Sequence, residues 1–140
     1  MSEVDKSQEN MYKFQILNQQ AEQIGQQLEI IGEHLKNIEK LDENISDVKG
    51  KNGKEIYAEI GSGIYVKAEL KEENFLVNVG DGKLVKKSEE GIKKILGEQK
   101  KRLEGIRFEL NENLESLIEE IRRIAEEIKN SEKKESKIIT

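Results

Sequence analysis

Apolar residues in the first third of the chain fall on one helical stripe. Phe14, Leu17, Ala21, Ile24, Leu28, Ile31, Leu35 and Ile38 recur in alternating steps of three and four, the a/d seam of a coiled coil. The stripe goes on through Leu41, Ile45 and Val48, and two successive steps of three around Leu41 predict a stammer that locally overwinds the supercoil. The last third repeats the pattern with Leu96, Leu103, Ile106, Leu110, Leu114, Leu117, Ile121, Ile124 and Ile128. Gln99 takes a core-facing place there, and two steps of four at Leu110 and Leu114 read as a stutter. Each predicted helix, about 42 residues at ~1.5 Å per residue, is roughly 60–65 Å long. Neither can hide so narrow a stripe alone. Their similar lengths make an antiparallel helical hairpin the simplest arrangement.

Between them the period changes from helical to alternating. Ile56, Ala58 and Ile60 share one strand face, and Ile64, Val66, Ala68 and Leu70 share another, with Gly61-Ser62-Gly63 as the turn between them. Phe75, Val77 and Val79 alternate again, Gly80-Asp81-Gly82 turns the chain, and Lys83–Lys87 returns as a short strand. Gly50 with Asn52-Gly53 ends the first helix, and Ser88 is the expected N-cap of the second. Two isolated hairpins bury too little apolar surface to stand alone. Tyr57, Tyr65, Leu76 and Val85 make their second faces apolar as well. Unpaired edges with two apolar faces predict oligomerisation through residues 55–87.

Composition narrows the chemistry. The chain has 140 residues, 38% of them charged and 4% aromatic, with no Pro, Trp or Cys and a single histidine, His34. That excludes a disulfide scaffold, a thiolate zinc site, a cysteine nucleophile and a paired-histidine centre. His34, beside Leu35, reads as a solvated flanking side chain. Gly61-Ser62-Gly63 fails the dinucleotide fingerprint because Val occupies position 66, and Gly50–Lys54 lacks the spacing and hydroxyl of a phosphate loop. Net charge is negative over residues 1–48, weakly positive over 49–87 and near balance over 88–140. No segment has the clustered cations of a nucleic-acid footprint. No apolar run reaches ~20 residues, and the polar N-terminus is unlike a signal peptide. The expectation is a non-enzymatic cytoplasmic protein without metal or cofactor, binding neither nucleic acid nor membrane.

Two segments carry a resemblance. With two β-hairpins joining two coiled-coil helices, Gly61-Ser62-Gly63-Ile64-Tyr65-Val66-Lys67-Ala68 and Val77-Asn78-Val79-Gly80-Asp81-Gly82 resemble the alpha class of archaeal prefoldin subunits. The resemblance implies an α+β fold, a long antiparallel two-helix coiled coil joined by two β-hairpins that assemble into an oligomeric β-barrel platform. It divides the chain into an N-terminal helix (1–49), an oligomerisation segment (50–87), a C-terminal helix (88–130) and a mobile tail (131–140). It implies a hexamer of two alpha and four beta subunits. Such a complex is an ATP-independent holdase that keeps unfolded proteins from aggregating and passes them to a group II chaperonin.

Carried over to this sequence, clients meet the coiled-coil tips at Met11, Tyr12, Phe14, Ile16, Leu17, Ile121, Ile124 and Ile128. The oligomer interface takes Ile56, Ala58, Ile60, Ile64, Tyr65, Val66, Ala68, Leu70, Phe75, Val77 and Val79. Met11, Tyr12 and Ile16 lie partly off the seam, so apolar surface should stay uncovered there; the alternative is that the tip residues simply continue or cap the coiled coil. Ile138 and Ile139 offer a further contacting end. A rival reading from another class is a scaffold protein whose strand edges pair head-to-tail into filaments.

Overall fold

The computed structural model describes the backbone of residues 3–139 and the side chains of residues 4–134. The elements run α1 (Glu3–Val48), β1 (Glu55–Gly61), β2 (Ile64–Glu69), β3 (Phe75–Asn78), β4 (Leu84–Lys87) and α2 (Glu89–Ile139). The α+β architecture of two long helices and two antiparallel hairpins is as expected. Helix α2 runs on through residues 131–139. Glu132, Lys133 and Lys134 favour helix, and no Gly or Pro interrupts the run. The side chains of Ile138 and Ile139 lie outside the described residues.

The helix ends follow local chemistry. At the close of α1, Lys51 N donates to Val48 O at 3.1 Å, and Gly50 sits at φ +78°, a left-handed conformation that suits glycine just past a helix. Its amide donates to Glu73 Oε1 at 2.9 Å. Ser88 caps α2 as expected, with Oγ accepting from Gly91 N at 3.2 Å.

The chain divides into two compact units, Met1–Glu33 with Leu103–Thr140, and His34–Arg102. In the first, the start of α1 lies beside the end of α2. One open groove there is lined by Tyr12, Ile16 and Leu17 together with Arg123, Ile124 and Glu127. Phe14, Leu17, Ala21, Ile24 and Leu28 are half-buried along the seam, and Ile31 is buried.

In the second unit Ile45, Ile92 and Leu96 form the buried cluster, with Ile38, Phe75 and Val77 packed against it. Both helices and hairpin β3–β4 therefore share one small core. The seam here departs from the expected stammer. Leu41 is 47% exposed, while Asp42 is half-buried. The stripe therefore runs Ile38, Asp42, Ile45, keeping the steps of four and three, and the heptad passes through without a stammer. The Asp42 side chain occupies the place that hydrophobicity alone assigns to its neighbour.

Candidate functional site

The hairpins are built on one template. Antiparallel β1–β2 runs from Glu55↔Glu69 to Glu59↔Tyr65, shifts register between Glu59 and Gly61, and closes at Gly61↔Ile64. Antiparallel β3–β4 runs from Phe75↔Lys87 to Asn78↔Leu84. Ser62 and Gly63 have φ of 49° and 77°, and Asp81 and Gly82 have 51° and 71°. Two successive positive φ values make both turns type I′, whose twist matches that of the flanking strands. In the second turn Lys83 N donates to Gly80 O at 2.9 Å. A carboxylate or amide rigidifies each turn: Glu59 Oε1 accepts from Gly63 N at 3.1 Å, and Asn78 Oδ1 from Gly80 N at 2.9 Å.

The correspondence extends to the surfaces. A constant shift in sequence relates Gly61 to Gly80, Gly63 to Gly82, Val66 to Val85 and Lys67 to Lys86, all identical pairs. Under the same shift Tyr57 matches Leu76, at 67% and 64% exposure, and Val66 matches Val85, at 44% and 41%. Ile60 and Val79 are both exposed, as are Tyr65 and Leu84. One chain thus presents the same apolar relief twice.

The expected interface residues divide into three groups. Ile60, Ile64, Tyr65, Val66 and Val79 are exposed. Ile56, Ala58, Ala68 and Leu70 are half-buried. Phe75 and Val77 turn toward the chain's own cluster of Ile45, Ile92 and Leu96. Leu84, which alternation did not single out, is exposed beside Leu76. The signal that finds it is the repeat of the Gly-x-Gly turn.

At the tip residues, Met11 and Tyr12 are exposed, and Phe14, Ile16, Leu17, Ile121, Ile124 and Ile128 are half-buried. The groove beside Tyr12 has a floor of Ile16, Leu17 and Ile124 and a rim of Glu9, Lys13, Glu120, Arg123 and Glu127. A second, polar groove is lined by Ser7, Asn10, Asn130 and Ser131 with Lys6, Glu127 and Lys134. Small polar residues thus replace apolar ones toward the ends of the two helices. Ile30 and Phe108 are further exposed apolar side chains on α1 and α2.

Among the described residues no group of three or more His, Cys, Asp or Glu could hold a metal ion, and no helix is long and apolar enough to cross a membrane.

Comparison with known proteins agrees with this geometry. The family model described as "Prefoldin subunit" matches residues 17–134. The chain is similar to prefoldin subunit alpha of Methanobrevibacter smithii, 31% identical over 96 residues that cover 68% of this chain and 62% of that one. It is also similar to prefoldin subunit alpha of Methanosphaera stadtmanae, 30% identical over 96 residues covering 69% of this chain and 70% of that one. The match thus spans less than two thirds of the first relative's length. A helix, two hairpins and a second helix, matched to that family over most of their length, place the chain: it belongs to the prefoldin family, in its alpha class.

Proposed function

We propose that the chain is the alpha-class subunit of an ATP-independent holdase, assembled through its hairpins with beta-class subunits as two alpha and four beta chains. The complex holds unfolded proteins at the helix tips and hands them to a group II chaperonin in the cytoplasm. The supporting observation is the tip itself. Met11 and Tyr12 are exposed beside a groove floored by Ile16, Leu17 and Ile124, and an unbranched thioether adapts to clients of varied shape. Several such tips on one client raise avidity while each contact stays weak. Phe14, Leu17, Ile121, Ile124 and Ile128 support the tip from the seam.

The test is light scattering of a chemically unfolded client with the native complex added and no nucleotide. Suppression of aggregation at about stoichiometric complex is the expected result. No suppression from a complex of confirmed mass would overturn the reading in favour of a scaffold, since open strand edges also suit filament growth. Indefinite increase of mass with concentration would be the mark of that alternative.

A further inference from the structure

The joint between α1 and β1 is a tight turn. Lys54 N donates to Lys51 O at 2.9 Å, and Gly53, at φ +81°, supplies the positive φ that a type II turn needs at its third position. Asn52 stands exposed just before it. The turn is anchored from across the hairpin, where Gly53 N donates to Leu70 O at 2.7 Å and Leu70 N to Lys54 O at 3.0 Å. Leu70 therefore holds the very amide that follows the asparagine. Asn52-Gly53 is the chain's single Asn-Gly pair. An asparagine carboxamide is an electrophile for the next backbone nitrogen, and glycine alone leaves that approach free of a side chain. A Cβ added at Gly53 would meet nothing within 4 Å, so the surroundings leave room for a ring. Asn74 and Asn78 precede Phe75 and Val79, whose side chains crowd the same attack. Every other asparagine lies within α1 or α2, where the helix fixes the backbone.

We propose that Asn52 is a site of spontaneous modification to aspartate and isoaspartate, gated by the hydrogen bond from Gly53 to Leu70. The chemistry needs only water. Gly53 N gives up its proton and attacks Asn52 Cγ, closing a cyclic succinimide. The Cγ–Nδ2 bond breaks, and the departing amide takes up that proton and leaves as ammonia. Water then adds to either imide carbonyl, and opening yields aspartate on one side and isoaspartate on the other. While Leu70 O accepts from Gly53 N, the nitrogen keeps its proton and stays in the turn. Reaction therefore waits for the base of hairpin β1–β2 to open locally. Closing again does not undo it. A carboxylate then replaces a neutral amide between Lys51 and Lys54, and isoaspartate adds a main-chain carbon that moves Gly53 out of register with Leu70. The inference stands apart from client holding, because its test contains no client.

The experiment incubates the full-length chain, warm and at mildly alkaline pH, either native or unfolded in concentrated urea. Position 52 is followed by peptide mass mapping with separation of the isoaspartyl product. In the native chain, conversion is expected at Asn52 ahead of every other asparagine, and at least about tenfold more slowly than in urea, because the open form is the minor state. Leu70→Pro deletes the N–H that Lys54 O accepts and loosens the same anchor, so native conversion should speed up severalfold. Circular dichroism checks that this variant folds, and the urea comparison stands without it. The proposal is overturned if Asn52 survives in urea, if native and unfolded chains react at one rate, if another asparagine reacts first in the native chain, or if folded Leu70→Pro converts no faster.

Discussion

Lys93 of α2 donates a hydrogen bond from Nζ to Ser46 Oγ of α1 at 2.7 Å, and Ser46 in turn donates to Asp42 O at 3.1 Å. The ammonium also lies 3.5 Å from Glu89 Oε1, one turn back on its own helix. This polar relay crosses from helix to helix beside the cluster of Ile45, Ile92 and Leu96. Because Lys93 is 38% exposed on its side chain, water screens the contact. Ser46→Ala should cost about 0.5–1 kcal/mol. A double-mutant cycle with Lys93→Met, read by thermal unfolding, should give a coupling of about 0.5 kcal/mol. Zero coupling would show the hydrogen bond to be energetically idle.

The course of the seam predicts unequal effects at adjacent positions. Leu41→Ala should change stability by less than about 0.5 kcal/mol, as exposed sites do. Asp42→Leu should raise it by roughly 1 kcal/mol by adding an apolar residue to the half-buried stripe. Denaturant midpoints of the two variants decide between the continuous heptad and a stammer, which demands the reverse ranking.

These two residues also show what could be read in advance. From Phe14 to Ile38 each seam position is apolar, so period and burial coincide and the helix face is legible. At position 42 the seam residue is an aspartate, and a search for hydrophobic spacing slides to Leu41. The hairpins were legible because Gly-x-Gly fixes turn chemistry and alternation fixes which side chains share a face. Alternation does not tell which face meets the helices. That depends on Ile92 and Leu96, distant in sequence from the strands, and it is why Phe75 and Val77 pack inward while Leu76 and Leu84 remain outside.

The division of the second hairpin sets up a contrast within one strand. Phe75→Ala opens a void against Ile45, Ile92 and Leu96 and should destabilise the chain by about 2–4 kcal/mol, moderated by partial exposure. Leu76→Ala, next to it on the other face, should leave the thermal midpoint of the isolated chain nearly unchanged. Equal shifts for the two would refute the inward orientation of Phe75.

Matched turns should respond alike. Gly63→Ala and Gly82→Ala each force a side chain into the left-handed region at φ 77° and 71° and should each cost about 1 kcal/mol or more. Asp81→Asn should be close to neutral, because asparagine tolerates the type I′ position. Parallel losses in the two turns are the outcome to look for in unfolding curves.

At the tips, function and stability should separate. Met11→Ser with Tyr12→Ser alters exposed side chains only, so helix content should hold while suppression of client aggregation falls severalfold. Phe14→Ala, in the half-buried seam, should instead lower the unfolding midpoint. Undiminished suppression by the Met11/Tyr12 variant would remove those two residues from the client surface.

The segment between the hairpins has an effect out of proportion to its five residues, 70–74. Glu73 receives the Gly50 amide at the end of α1, and Glu72 receives Lys86 of β4. The link is therefore tied on one side to the helix and on the other to the second hairpin. Two docking edges held at a set bearing lose little orientational freedom when both engage. A partner that fits only one edge lacks the second contact and leaves sooner. In the proposed assembly, the tied link would turn two modest edges into a check on whether the right partner has arrived.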